Sequence, residues 1–509
     1  MAAEIDLVAK FAQEAVWLYF ENIPWILAGV IVGMILGVIP GMGGVVTLVL
    51  LLPLTLGMDK FQAFAILSGG LGATTYTGSI TGILINTPGT SSNAATIIDG
   101  YPLTQRGEAA TALGASAFAS ATGAIVAVVI FLLSLPFLLD IALAFGPSEV
   151  FWLVIGALVV LPFLVGDKPL AGIATAGMGL IATFIGRAPQ TAEPRFTFGQ
   201  TALFDGLPIL APLVGLFALA EIFRLASIDR KMVVPETVKM SGNRLRGVKE
   251  VIKHRWLWLR CSILGLIIGA VPGAGGASSS FIAYGHAVQS AKNKTGFGEG
   301  RIEGVIASEA ANDAKDGGQL FPSMALGIPG SASMAVFLAG LLAHGMFPGP
   351  RTLIDNIELV MVVALSLGTA NIMTSIIGFT LINQFTRLLK ISVQRLLPAI
   401  TVLALTAAYL GRNQFNDVIM TLAFALFGAV LIYVGVSRVP FLIAFVLGSL
   451  LEQNFYLASQ FAGGNIYEGF FTGTLNLILI GIVLLSVIAI TLPDRYVKRL
   501  KRGLGRVRP

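Results

Sequence analysis

Seven stretches of this chain contain no Asp, Glu, Lys or Arg: 22–58, 61–98, 109–139, 261–291, 317–350, 359–386 and 469–493. Each exceeds the ~20 apolar residues with which a helix crosses a bilayer. Further apolar segments near 150–166, 169–186, 206–223, 396–411, 418–437 and 439–451 occupy most of the remaining sequence. The pattern predicts an all-α polytopic membrane protein of about 10–12 transmembrane helices with discontinuous or re-entrant segments. Asp140, Glu149, Asp167 and Lys168 lie between apolar runs and read as loop residues.

Of the 509 residues, 55% are hydrophobic and 12% charged, against about 25% charged in soluble proteins. That excludes a soluble enzyme, a nucleic-acid binder and a secreted disulfide scaffold. The net charge of +6 is concentrated in two places. Residues 224–260 hold ten Lys or Arg against three acids, and 494–509 hold seven against one. Basic clusters beside membrane spans mark the cytoplasmic side. The first ten residues, MAAEIDLVAK, lack the basic start of a cleavable signal peptide. The single cysteine, Cys261, can make no internal disulfide, and His254, His286 and His344 have no cysteine partners for a zinc or haem site.

The polar interruption divides the chain into a first transmembrane half (1–226), a basic cytoplasmic linker (227–257), a second half (258–493) and a basic cytoplasmic tail (494–509). The halves share signals. Gly37-Val-Ile-Pro-Gly-Met-Gly-Gly44 returns as Gly269-Ala-Val-Pro-Gly-Ala-Gly-Gly276, shifted by 232, and Asn86-Thr-Pro-Gly-Thr-Ser-Ser92 is answered by Gly327-Ile-Pro-Gly-Ser-Ala-Ser333, shifted by 241. Two ordered anchors point to duplication. An extra apolar segment in the second half lets both halves end on the cytoplasmic side if the repeats are inverted.

Proline and closely spaced glycines break helices. Within hydrocarbon, such breaks survive only inside protein or beside a polar cavity. Pro40, Gly41, Gly43 and Gly44, with Pro272, Gly273, Gly275 and Gly276, therefore read as helix breaks that shape a cavity, or as tight packing turns. In the second anchor Thr87 is placed to cap a helix with Pro88 in its first turn. A helix start rich in Asn86, Thr87, Pro88, Gly89, Thr90, Ser91 and Ser92, and its counterpart Pro329, Gly330, Ser331 and Ser333, displays N–H groups suited to a carboxylate. The hydroxyls of Thr74, Thr77 and Ser79 are oxygen ligands of the kind a sodium ion accepts. Asn312 and Asp313 sit in a charged segment, Glu309-Ala-Ala-Asn312-Asp313-Ala-Lys315-Asp316, and an ionisable group at membrane depth is a functional candidate. Lys315 and Asp316 beside them read as an interfacial salt bridge.

Enzymatic patterns are weak. Ser280 and His286 are six residues apart and fall on different sides of a helix. There is no His-Glu-x-x-His and no Walker-type phosphate loop. An enzyme is not expected.

The run from Gly78-Ser-Ile-Thr through Ile85-Asn-Thr-Pro-Gly to Asp99-Gly-Tyr-Pro102 resembles the large membrane subunit of the tripartite tricarboxylate transporters. So do Pro272-Gly-Ala-Gly-Gly276, Glu303-Gly-Val, Glu309-Ala-Ala-Asn312, Gly317-Gly318, Leu326-Gly-Ile-Pro-Gly-Ser331 and Gly349-Pro350. The resemblance implies a multi-pass subunit of the bacterial inner membrane, working with a small membrane subunit and a periplasmic solute-binding protein. It implies import of organic acids, tri- or dicarboxylates, on a sodium or proton gradient. No cofactor is expected beyond sodium ions, no nucleic acid partner, and a homo-oligomer is left open. One departure stands out: the family often reads Glu-Ala-Ala-Asn-Asn where this chain has Glu309-Ala-Ala-Asn312-Asp313, which bears on ion coupling or substrate preference. An uncoupled carboxylate channel and a non-transporting scaffold are the alternatives.

Overall fold

The computed structural model describes residues 2–165, 168–227, 243–272, 276–381, 384 and 393–491. Asp167, most of the linker (228–242), Gly273, Gly275 and the tail 494–509 lie outside the described residues. The chain is built almost wholly of helices. The first half runs α1 (Ala2–Glu21), α2 (Ile23–Gly37), α3 (Gly44–Thr55), α4 (Lys60–Ile85), α5 (Ala94–Gln105), α6 (Ala109–Ala144), α7 (Pro147–Val165) and α8 (Pro169–Thr183). It closes with α9 (Leu210–Leu213) and α10 (Ala220–Ala226), joined through a π-helical turn, Val214–Leu219. The second half runs α11 (Arg244–Lys253), α12 (Arg255–Gly269), α13 (Ala277–Ser290), α14 (Ile302–Leu320), α15 (Ala332–Ala343), α16 (Pro350–Asp355) and α17 (Ile357–Thr380). Five more helices follow: α18 (Val393–Leu410), α19 (Phe415–Val434), α20 (Val439–Phe461), α21 (Ile466–Phe470) and α22 (Thr474–Thr491).

Among the described residues, α6, α17, α19 and α20 are each long and apolar enough to cross a membrane, and Lys10–Glu21 with α2 forms a further span bent by 56°. The other apolar helices are shorter, such as α3, α8 and α15, too short to cross singly. Asp140, read as a loop residue, lies inside α6, and Glu149 lies in the first turn of α7. There it accepts from the Gly146 N–H at 3.1 Å, a favourable place for an acid at a helix start. Lys168 stands just before α8.

α4 and α14 form the centre. Every residue from Ala63 to Leu84, and from Gly304 to Leu320, is buried, so neither helix shows the polar face of a surface helix. Both are gripped by glycine-bearing helices. A Cβ on Gly33 of α2 would strike the Gly70 carbonyl, and one on Gly265 of α12 would strike the Ala311 carbonyl. At the ends of these helices Gly37 packs on Thr74, and Gly269 on Lys315. Small residues allow this backbone approach where lipid offers no hydrophobic drive between helices. α4 and α14 run antiparallel, because Ser79 meets Glu309 while Thr75 meets Asp316.

A two-stranded antiparallel ribbon pairs Gly186 with Arg195. It is tied down by Arg195, which reaches Glu452 of α20 through two hydrogen bonds of 2.6 and 3.2 Å. At the opposite end, Arg244 donates to the Phe379 carbonyl at 2.6 Å and Arg246 lies 3.4 Å from Glu108. The end of the basic linker thus sits where α17 ends and α6 begins.

Candidate functional site

The two anchors of the first half are stitched together. α4 terminates at Asn86, whose φ of 56° is left-handed, a conformation asparagine tolerates better than most residues. The chain then doubles back so that Gly89 lies against Gly78 and the Gly37 carbonyl, with no room for a Cβ. Gly89 N–H donates to Gly78 O at 3.2 Å, and Gly41 N–H donates to Gly89 O at 3.3 Å. This crossing delays the next helix. Thr87 does not cap it; its hydroxyl donates to Ile85 O at 3.2 Å. Thr90 is the cap, in a reciprocal arrangement with Asn93, ahead of a turn at Ser91–Asn93 that runs into α5. Pro88 accordingly precedes the cap instead of occupying the first turn. In the second half, Gly330 packs against Gln319 and the Gly269 carbonyl. Ser331 caps α15 by accepting from Met334 N–H at 3.3 Å and donates to Gln319 Oε1 at 2.6 Å.

These breaks surround one cavity of about 690 Å³. Pro40, Gly41, Gly43 and Gly44 line it, as do Thr87, Pro88, Gly89, Thr90, Ser91 and Ser92. From the second half come Gly276, Ser331 and Ser333. Thr74 and Thr75 of α4 face Lys315, Asp316 and Gln319 of α14 around the same space. Asn86, Thr77, Ser79, Asn312, Asp313, Pro272, Pro329 and Gly330 are not in its wall.

The cavity also has cations that the motifs did not single out. Arg224 of α10 and Arg438, just before α20, both line it. Both bond to Glu221, which is only 3% exposed: Arg224 Nε at 2.7 Å from Oε1 and Arg438 Nη2 at 3.3 Å from Oε2. Arg438 also donates to the Leu216 carbonyl, within the π-helical turn, at 2.8 Å. The signal available in the sequence was Glu221-x-x-Arg224 at the edge of an apolar segment. Lys315 bonds Asp316 at 2.8 Å, and both are about 5% exposed. The pair is a salt bridge as expected, but it lies in the cavity wall and not at a membrane interface. Three lining cations oppose one lining carboxylate, and adding Glu221 behind them leaves 3 − 2 = +1.

Behind the wall, α14 carries a second polar layer. Glu309 accepts from Ser79 and Ser116, each at 2.7 Å, and from Thr96. Ser79 is in turn hydrogen-bonded by Asn93 Nδ2 at 2.7 Å, so a hydrogen-bond chain runs from the Thr90 cap to Glu309. Thr74 and Thr77 donate to carbonyls of their own helix, Leu71 and Ala73. Asn312 and Asp313 are fully buried, and neither polar atom of the Asn312 side chain has a hydrogen-bond partner. Thr75, which donates to Asp316 at 3.2 Å, is the hydroxyl beside Asp313.

The family model for the tripartite tricarboxylate transporter TctA family matches residues 23–443. The uncharacterized 52.8 kDa protein in the TAR-I ttuC' 3' region of Agrobacterium vitis is 33% identical over 491 residues, covering 94% of this chain and 95% of that protein. An uncharacterized protein in the TAR-II ttuC' 3' region of the same organism is 33% identical over 235 residues, covering 46% of this chain and 97% of that protein. No solved structure is significantly similar.

Proposed function

Because the chain belongs to the tripartite tricarboxylate transporter TctA family, we propose that it is the transport subunit that imports organic acids, tri- or dicarboxylates, across the bacterial inner membrane. A solute-binding protein and a small membrane subunit are its partners in this reading, and a sodium or proton gradient drives it. The observation that carries the reading is the cavity in which the Pro-Gly breaks of the first half meet Gly276, Ser331 and Ser333 of the second. Two helix starts, capped by Thr90 and Ser331, come together there with Arg224, Arg438 and Lys315. Helix N-termini and guanidinium groups both favour a carboxylate. A ligand with several carboxylates engages several of these groups at once. Arg224 lies three residues before the linker side of α10, so on the positive-inside reading the arginines stand toward the cytoplasm.

We read the halves as inverted repeats on the same footing. Gly33 on Gly70 and Gly265 on Ala311 are the same contact shifted by 232 and 241 residues. Gly89 on Gly37 and Gly330 on Gly269 follow the same two shifts. The antiparallel run of α4 and α14 supports the inversion.

Proteoliposomes carrying this chain with its small subunit test the function through radiolabelled citrate and dicarboxylate uptake. Accumulation is expected only with both the binding protein and one ion gradient. Equilibration without either would make the protein a facilitator, and no movement in an assembled complex would leave a scaffold. Pro88→Ala with Pro329→Ala is expected to abolish accumulation; uptake unchanged in that double variant would remove the site assignment.

A further inference from the structure

α11 lies across the ends of other helices. Arg244 bonds the Phe379 carbonyl at the close of α17, Arg246 lies 3.4 Å from Glu108 just before α6, and His254 lies 3.6 Å from Glu303 in the first turn of α14. One face of α11 is fixed. A Cβ on Gly247 would strike the Thr111 carbonyl, one on Gly114 would strike the Arg244 carbonyl, and Val251 is buried. The other side carries an apolar stripe that is not packed. Leu245 and Ile252, seven residues apart and so on one line of the helix, are 59% and 53% exposed. Trp256, four residues further at the start of α12, is 68% exposed. Trp258 points inward, its indole N–H donating to the Ala119 carbonyl at 3.3 Å.

Cations border this stripe. Lys249 follows Leu245 by four residues and precedes Ile252 by three, which places it beside both, and Arg255 adjoins Trp256. Arg246, Lys249, Lys253 and Arg255 are all exposed. Arg246 and Lys253 have acidic neighbours, Glu108 at 3.4 Å and Glu250 at 3.3 Å. Among the described residues, no carboxylate forms an ion pair with Lys249 or Arg255. Such a face suits neither water nor hydrocarbon alone. It suits the boundary between them, where acyl chains take the apolar side chains and phosphates take the cations. We propose that Leu245, Lys249, Ile252, Arg255 and Trp256 form a binding surface for anionic phospholipid in the leaflet on the linker side. Lys249 and Arg255 hold the headgroup phosphate, and the other three side chains enter the acyl boundary. The stripe is one side chain wide, too narrow for a stable protein interface. The proposal depends on the membrane placement of the chain and not on which acid it carries. Lipid that holds α11 also holds the start of α6, because the glycine contacts between them leave no slack.

The full chain, purified in a neutral detergent, is titrated with phosphatidylglycerol or phosphatidylcholine, and the retained lipid is read by native mass spectrometry. Wild type is expected to retain phosphatidylglycerol in preference. Lys249→Gln and Arg255→Gln are each expected to weaken phosphatidylglycerol binding about fivefold and to leave phosphatidylcholine unchanged. Leu245→Ser with Ile252→Ser is expected to weaken both lipids and keep the preference. Equal retention of the two lipids by wild type, or phosphatidylglycerol binding undiminished in the charge variants, overturns the proposal. Backbone hydrogen exchange over residues 244–256 gives a readout on wild type alone, should a variant fail to fold. In nanodiscs this segment is expected to exchange more slowly with phosphatidylglycerol than with phosphatidylcholine. Identical exchange in the two lipids overturns the proposal, and so does protection that arises only when a small membrane subunit is added, which would make the face a protein interface.

Discussion

Thr74 and Thr75 of α4 correspond, by the shift of 241, to Lys315 and Asp316 of α14. All four line the cavity. Their backbones are held alike, Thr74 under Gly37 and Lys315 under Gly269. Their chemistry differs completely, since one pair brings hydroxyls and the other a buried ion pair. The Thr75 hydroxyl spans the gap by donating to Asp316. Backbone geometry is thus alike in α4 and α14, while at these positions charge is carried by α14 alone. A symmetrical pair of ion pairs would double the desolvation cost. With hydroxyls on one side, the neutral helix supplies donors to the charged one, as Ser79 does for Glu309.

The largest expected effect comes from breaking the ion pair. Lys315→Met leaves Asp316 buried without its cation, which should cost about 3 kcal/mol in stability. The Lys315→Met, Asp316→Leu double variant should recover most of it, because the pair is then removed whole. Thermal unfolding in detergent reads both, and equal instability of single and double variants would show that the pair is not the source. If the cavity holds the substrate as proposed, organic-acid uptake should be lost in the single variant and stay lost in the double one.

A smaller effect is expected at the second contact between the helices. Glu309→Gln keeps an acceptor for Ser79 and Thr96 but gives up the carboxylate, at about 2 kcal/mol. Ser79→Ala, on the neutral helix, should cost only about 0.6 kcal/mol, the average for hydrogen bonds within membranes. If the serine change proved the more damaging, the division between a charged and a supporting helix would fail.

The caps are expected to fall below the Glu309 effect. Thr90→Ala and Ser331→Ala should each cost about 1 kcal/mol. Thr90 is expected to be the more sensitive, since its hydroxyl also holds Asn93, and through it Ser79 and Glu309. A larger loss at Ser331 would place the dominant network in the second half.

The sequence alone determined the membrane class and the helix breaks. Each of these depends on local properties: charge-free length, the missing N–H of proline and the freedom of glycine. It also located both helix starts, although it put the first cap at Thr87, three residues early. Cap position depends on where Gly89 crosses Gly78 and Gly37, a contact between residues distant in the chain. Only the tertiary structure decided that Arg224 and Arg438 join the cavity and share Glu221. It also assigned Thr77, Ser79, Asn312 and Asp313 to positions behind the wall. The physical reason is that burial and hydrogen-bond partnership belong to pairs of helices. A sequence shows that a charge lies in a span, but the partner that compensates it stands on another helix and follows from packing.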